Sequence, residues 1–408
     1  MPVSFIPMAD VSEGGQWLGG QVRPLREVSS GFTAFADEDV LVAKITPCFE
    51  NGKGAHVVGL INGVGFGSTE FHVLRARHGT SPRFVHHLVQ GVRLRWTAEA
   101  FMSGSAGQRR VPPSFFEEYP APDLDYEEQV AVSRVLDTLD TTIRQTEAII
   151  DKLKQVKQGL LHDLLTRGIA DNGELRPPQS EAPHLYKESA LGWIPSQWTV
   201  RRIEALLSAD EPAMRSGPFG SALLKHELVE HGVPLLGIDN VHVERFHAEF
   251  TRFVTEKKFN ELARYAVRAD DLMITIMGTV GRCCLVSEGV GRALSSKHTW
   301  TITLDRAAYS PLLAMLQINY SEWISRQFAK DEQGGVMSAI RSETLRGLEL
   351  PTPPIKEQLA IEARMRAISV RIDAESASLK KLRLKKSGLM DDLLTGRVRV
   401  TALLNAET

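Results

Sequence analysis

EQVAVSRVLDTLDTTIRQTEAIIDKLKQVKQGLLHDLLT, residues 128–166, returns in diverged form at residues 357–395 as EQLAIEARMRAISVRIDAESASLKKLRLKKSGLMDDLLT. The copies align without a gap at an offset of 229, and 14 of the 39 positions are identical, where roughly two or three would coincide by composition. Neither copy holds a proline, and Gly159 and Gly388, in register, are their only glycines. Each follows a proline-containing lead-in, YPAPDLDYEEQ or LPTPPIKEQ. Both therefore read as helices on the order of 60 Å long at the usual rise per residue.

The apolar positions decide how such helices are used. Val132, Leu136, Leu139, Ile143, Ile150, Leu153, Leu160 and Leu164 follow steps of four and three, and the second copy repeats them as Ile361, Met365, Ile368, Ile372, Leu379, Leu382, Leu389 and Leu393. The stripe is interrupted at Thr146 and Lys157, and at the matching places of the second copy by Glu375 and Lys386. A seam of this period keeps one face against a partner along its whole length. Pairing of the two helices with each other explains both their length and the shared register. Two unrelated amphipathic helices, each lying on its own domain core, are the alternative.

Working outward, each helix is preceded by a non-repetitive, strand-rich segment. The first includes DVLVAKITPCF (39–49), HVVGLING (56–63) and EFHVLRAR (70–77), and the second DLMITIMGTVGRCCLV (271–286) and HTWTITLD (298–305). β-Branched residues alternating between glycine turns favour strands, and FVHHLV and LLAMLQINYSEWI suggest short helices packed on them. A faint common plan links the segments: Asp39-Val-Leu-Val parallels Asp271-Leu-Met-Ile, and Gly104–Arg110 parallels Gly335–Arg341. Residues 168–192 are polar and proline-containing, which reads as a linker. The expected fold class is α+β: two globular mixed α/β domains separated by two long antiparallel coiled-coil helices with pseudo-two-fold symmetry. The expected division is 1–118, first domain; 119–169, first helical region; 170–192, linker; 193–349, second domain; 350–400, second helical region. A rod with a different head at each end suits a linear ligand bearing two sites.

Composition excludes several classes. With 43% hydrophobic and 24% charged residues the chain reads as ordinary globular protein, and no run approaches the roughly 18–20 apolar residues of a membrane span. The opening MPVSFIPMADVSEGG lacks a secretion signal, and Cys48, Cys283 and Cys284 are too few for a disulfide framework or a paired-cysteine zinc site. A reducing cytoplasm is expected. The net charge of −2 offers no basic signature for nucleic acid. No Asn/Asp-Pro-Pro-aromatic loop of an adenine methyltransferase occurs, nor a phosphate-binding Gly-x4-Gly-Lys-Ser/Thr loop. Glu256-Lys257-Lys258 reads as a solvated turn rather than part of a nuclease motif, and His86 and His87 as surface or packing histidines rather than metal ligands. No metal site is expected.

The ordered set Pro351-x-Pro-Pro-x-x-Glu-Gln358, a long helix, then Leu389-Met-x-x-Leu-Leu-Thr-Gly396 resembles the conserved regions of type I restriction-modification specificity subunits. GLLHDLLTRG (159–168) and Gly192-Trp-Ile-Pro-x-x-Trp198 add to the likeness, and AKITPCFENGKGA (43–55) and GFGSTEFHVLR (65–75) look like one class of target-recognition domain. The resemblance implies a non-catalytic subunit whose two recognition domains each read half of a split double-stranded DNA sequence. It implies helices that set the spacing and dock two methyltransferase subunits, with restriction subunits joining them. No cofactor is implied for this chain; S-adenosylmethionine belongs to the methyltransferase partner, and ATP and magnesium to the restriction partner. The second segment is longer by some 40 residues, which leaves the completeness of the first domain open.

Base reading needs side chains that reach base edges, chiefly Arg, Lys, Asn, Gln and acids, while other cations hold phosphates. The candidates are Lys44, Asn51, Lys53, Glu70, His72, Gln108, Arg109 and Arg110 in the first domain, and Arg282, Lys297, His298 and Arg341 in the second. SGSAGQRR (103–110) suits a loop that approaches a groove closely. Local charge does not discriminate, since residues 1–118 carry eleven Lys/Arg and eleven Asp/Glu. The KKLRLKK run (380–386) reads as solvated or partner-facing. Two other readings stand: a coiled-coil protein scaffold that does not touch DNA, and an enzyme with an unrecognised site.

Overall fold

The structure is a computed structural model that describes residues 1–105, 107–277, 280–332 and 340–400. It is mixed helix and sheet and divides into two compact units, one of residues 1–151 with the chain from 374, the other Lys152–Asp373. These units cut across the five consecutive segments expected from the sequence. Each takes one globular segment, the start of one long helix and the end of the other.

In the first unit, β1 (Pro2–Ile6), β2 (Gln21–Pro24), β3 (Thr33–Ala36) and β6 (Val64–Gly67) form a sheet in the order β2-β1-β6-β3. Its central pair, β1 with β6, is parallel, and the outer pairs are antiparallel. A second, antiparallel sheet has β4 (Val40–Ala43) between β5 (Gly54–His56) and β7 (Phe71–Leu74). All four residues of β4 are buried because apolar groups cover both of its faces: Leu41 packs with Phe35 and Phe71, and Val40 and Val42 pack with Val89, Leu94 and Phe115. Val89 belongs to α1 (Pro82–Gln90), which starts at the N-cap Ser81, whose hydroxyl accepts from the Phe84 N–H.

The second unit repeats this plan. Strands β9 (Val233–Leu236), β10 (Phe253–Val254), β11 (Ala266–Val267) and β14 (Ala293–Ser295) run β10-β9-β14-β11, again with a parallel central pair. Strands β12 (Leu272–Thr275), β13 (Cys283–Leu285) and β15 (Thr299–Ile302) reproduce the β4, β5 and β7 sheet, and an additional strand β8 (Met214–Ser216) lines its edge beside β15. The matched Asp-initiated runs occupy the same turn. Asp39 and Asp271 are both fully buried and accept at 2.7 Å from the N–H three residues before, Ala36 and Arg268. Each carboxylate needs a guanidinium as well. Arg75, at the end of β7, supplies it at 2.7 Å in the first unit; Thr303 follows β15 in the second, and there the ion pair comes from Arg215 on the additional strand.

The long helices are α2 (Tyr126–Thr166) and, after the shorter α3 (Pro311–Tyr320), α4 (Ile355–Leu393). Within the first unit Val132 and Leu136 pack with Met390, Leu393 and Leu394, Asp140 pairs with Lys386, and Glu147 lies 2.6 Å from Arg383. As one number rises the other falls, so these portions run antiparallel. In the second unit Leu161, Leu164 and Leu165 share a core with Ile361 and Met365. All sixteen seam residues are buried or half-buried. The breaks are filled by polar contacts: Thr146 donates to the Thr142 carbonyl at 2.8 Å, and Lys386 meets Asp140. Ser369 stands in α4 where Asp140 stands in α2, and the matching Lys157 turns instead to Glu244 at 2.6 Å.

Residues 168–192 are not an open linker. Ile169 bridges to Leu175, Tyr186–Ser189 pairs with Gly192–Pro195 as a hairpin, and Ala182, Tyr186 and Arg176 are buried. Polar and proline-rich composition does not distinguish a coil from a short ordered hairpin whose few apolar residues find a core. The second unit's extra length includes this hairpin and the strand Thr199–Arg202, which pairs with Glu349–Thr352 just before α4. The equivalent lead-in in the first unit, residues 120–123, has no strand partner among the described residues.

Candidate nucleic-acid interface

In the first unit three segments meet at Lys44. Its N–H donates to the Glu70 carbonyl at 2.9 Å, and its carbonyl accepts from Val111 N–H at 2.9 Å. Thr46 N–H donates to the Arg109 carbonyl at 2.9 Å, and Ser103 and Arg110 exchange both backbone hydrogen bonds at 3.0 and 2.8 Å. Residues 103–105 and 107–110 thus pair as the two arms of a hairpin docked along the turn after β4. Gly104 at φ 127° and Gly107 at φ 84° permit the reversal, a left-handed region that other side chains resist.

Side chains then sort the candidates. Arg110 forks onto Glu70, Nε at 3.0 Å and Nη2 at 2.9 Å, and this guanidinium holds the Glu70 carboxyl below its ordinary range. His72 donates from Nε2 to the Val111 carbonyl at 2.8 Å; burial, ahead of its neighbours, lowers its pKa. Arg109 lies 3.7 Å from Glu50, beyond hydrogen-bonding distance. Gln108 is exposed, with no side-chain partner among the described residues. Lys44 is half-buried at the same place. Asn51 and Lys53 fall on the β5 side, bonded to Glu13 at 2.9 Å and the Met8 carbonyl at 3.3 Å.

The second unit has the same frame with other chemistry. Ile276 N–H donates to the His298 carbonyl at 3.1 Å as Lys44 does to Glu70, and Trp300 Nε1 donates to the Ile340 carbonyl at 3.1 Å as His72 does to Val111. This aligns Ile340 with Val111, so Arg341 corresponds to Pro112 and not to Arg110. The parallel between Gly104–Arg110 and Gly335–Arg341 is therefore shifted by two residues, and Gly335 itself lies outside the described residues. Arg341 is exposed at the start of the helix Ser342–Gly347. Arg282 is half-buried at the base of the β12–β13 hairpin, its N–H on Thr275 Oγ1 at 3.1 Å. Lys297 and His298 line a cleft of ≈ 260 Å³ with Lys225 and Arg252. Burial first, then the positive charges of Lys297 and Arg252, push the His298 pKa down.

Sequence reasoning missed the residues that seat each frame on the helices. Gln129 accepts from Ser81 N–H at 2.9 Å and donates to the Leu124 carbonyl at 2.8 Å; Gln358 repeats both bonds, to Ser310 N–H and the Pro353 carbonyl, at 2.8 Å each. The adjacent acids join each helix start to the other helix's end. Glu357 accepts from Ile169 N–H at 2.8 Å and from Arg176 Nη2 at 2.9 Å, and Glu128 lies 3.0 Å from Arg399 Nε. Gly168, at φ 65°, is required here, since a Cβ would stand 2.1 Å from Glu357 Oε1. The signal was available: Glu-Gln opens both copies of the repeat. His86 and His87 are buried packing residues, His87 Nε2 standing 2.8 Å from Asp137. His87, Asp137 and Asp140 bring potential metal-ligand atoms within 4.8 Å, but Arg83 and Lys386 already neutralise the carboxylates.

This doubled fold is that of type I restriction-modification S subunits. Over 96% of its length the chain superimposes on 88% of the type-I restriction-modification system S subunit from M. genitalium, with a TM-score of 0.52 and 14% identity. A chain from a type I R-M system, solved for its complex assembly and conformational transition, matches 98% of this chain over 92% of its own length, with a TM-score of 0.53 and 14% identity. Curated relatives carry the corresponding name. The EcoEI specificity subunit of Escherichia coli is 38% identical over 175 residues, and the EcoAI specificity subunit of the same organism 35% over 180. Each match covers 40% of this chain, and the chain spans 28% of each relative's length. The MjaVIII specificity subunit of Methanocaldococcus jannaschii is 23% identical over 310 residues, 73% of this chain and 66% of the relative. No family model matches the chain. The resemblance drawn from the motifs is thus a resemblance to proteins named type I restriction enzyme specificity subunits.

Proposed function

We propose that this chain is the DNA sequence-specificity subunit of a type I restriction-modification enzyme and carries no catalytic centre of its own. The observation that carries the reading is duplication with divergence. The two units share sheet order, helix seating and the Asp-initiated turn, whereas the side chains at the loop cluster differ: Glu70, His72 and Arg110 in one, His298, Trp300 and Met277 in the other. A repeated frame with dissimilar loops suits the reading of two different half-sites on double-stranded DNA. In this reading the paired helices form a spacer with pseudo-two-fold symmetry and dock two methyltransferase subunits, which restriction subunits then join. S-adenosylmethionine is held by the methyltransferase partner, and ATP and magnesium by the restriction partner. The setting is the prokaryotic cytoplasm; among the described residues no helix is long and apolar enough to cross a membrane.

Selection from a random duplex DNA pool, using the full chain together with its methyltransferase partner, tests this. Recovery of one bipartite sequence is expected. Binding of the protein partner with no enriched sequence would favour the scaffold, and methyl transfer or cleavage by the purified chain alone would favour an enzyme.

A further inference from the structure

Of the twelve candidates, those of the first unit divide into side chains already committed to partners and side chains that are not. In the first unit, Arg110 spends its fork on Glu70, and His72 spends its Nε2 proton on the Val111 carbonyl. The second unit keeps the His72 bond by other means, through Trp300 Nε1 and the Ile340 carbonyl. A contact retained when the side chain changes from imidazole to indole serves the frame, since the two groups present different chemistry to a ligand. Asn51 and Lys53 are bonded on the β5 side. Two residues remain at the hairpin tip. Gln108 is exposed without a side-chain partner among the described residues, and the Arg109 side chain, 44% exposed, has Glu50 at a loose 3.7 Å. A Cβ added to the neighbouring Gly107 would meet nothing within 4 Å, so the tip stands open.

We infer that Gln108 and Arg109 are the base-reading pair of the first recognition domain, and that the Arg110–Glu70 ion pair is a positioning device that aims them. An amide of Gln pairs in two places with adenine N6 and N7, and the guanidinium of Arg with guanine O6 and N7. Adjacent residues on a protruding tip address neighbouring base pairs in the major groove, so an adenine and a guanine in one half-site are specified. Arg110 lies at the hairpin's base, and its ion pair crosses from the hairpin to the start of β7, fixing the tip's direction. The assignment rests on the DNA-reading role proposed above.

The test uses the full chain with its methyltransferase partner and a random duplex pool, comparing wild type with Gln108→Ala, Arg109→Ala, Arg110→Ala and the charge-exchanged Glu70→Arg/Arg110→Glu. Gln108→Ala and Arg109→Ala are expected each to lose preference at one position of one half-site, by about ten-fold or more, with thermal unfolding unchanged because both side chains are exposed. Arg110→Ala is expected to weaken all positions of that half-site together, and the charge exchange to restore part of the loss. An unaltered motif from both tip variants, with wild type still selecting a bipartite sequence, overturns the assignment and leaves the subunit reading intact. Relaxation at a single position by Arg110→Ala also overturns it, since Arg110 would then be a reader. If wild type enriches no sequence, the subunit reading falls and takes this inference with it.

Discussion

Gln129 and Gln358 show how much one side chain carries. Each joins the N–H of a helix N-cap, Ser81 or Ser310, to a carbonyl of the segment before a long helix, and both glutamines are buried. Replacing either with leucine leaves a donor and an acceptor without partners, at about 1–3 kcal/mol per group. Gln129→Leu and Gln358→Leu are expected to lower stability by similar amounts in denaturant titration, because the geometry is copied. A much smaller loss at one of them would show that water replaces the amide there. His86 responds to pH. Burial holds its pKa well below the ordinary value, with Arg83, His87 and His56 acting in the same direction. A folded pKa below the unfolded 6.5 means that the unfolded chain binds more protons, so stability falls as pH drops below about 6.5. His86→Leu should flatten the decline of Tm between pH 7.5 and 5.5 without abolishing it, because His87 is also buried and lowered. An identical slope in calorimetry would contradict this account.

At the scale of the element, the two helix-end ion pairs are equivalent in role and unequal in environment. Arg176 and Glu357 are 5% and 7% exposed, whereas Arg399 is half exposed beside a buried Glu128. Removing one partner of a buried pair strands a charge and costs about 3–5 kcal/mol, while an exposed partner recovers water and the cost falls toward about 1 kcal/mol. Glu128→Ala, which leaves the exposed Arg399 behind, is therefore expected to be milder than Glu357→Ala, which leaves the buried Arg176, by a few kcal/mol, measured as the difference in unfolding free energy. Comparable losses would mean that the Arg399 guanidinium is as poorly hydrated as that of Arg176. The same contrast of setting explains the seam lysines: with Asp140 opposite, Lys386 pairs across the helices, and with serine at the equivalent place Lys157 pairs with Glu244 in the second unit's globular segment.

For the whole molecule, the proposed function makes the heads exchangeable and the helices a ruler. Replacing residues 193–349 with the corresponding domain of another specificity subunit should change one half of the methylated motif and leave the other. Sequencing of methylated adenines reads this directly, and a change in both halves would contradict independent readers. Adding one heptad to each helix lengthens the spacer by about 10 Å, on the order of three base pairs of duplex. The gap between half-sites should widen accordingly, and an unaltered gap would remove the helices from that role.

The sequence by itself determined the two long helices, their apolar seam and the kinship of the Asp39 and Asp271 runs, because these are local: period, the absence of proline, and a repeat at constant offset need no distant partner. It also pointed to the hairpin at 103–110. Which partners the residues there hold was settled by tertiary packing alone. Arg110 and His72 look unpartnered in a linear reading, and the fold gives each an internal partner, Glu70 and Val111, 40 and 39 positions away. The ordered hairpin within 168–192, the place of Arg341, and the work of Glu-Gln at each helix start were hidden for the same reason. A hydrogen bond satisfied across the fold leaves no periodicity in the chain, and a polar residue's role is set by which partner the packing delivers to it.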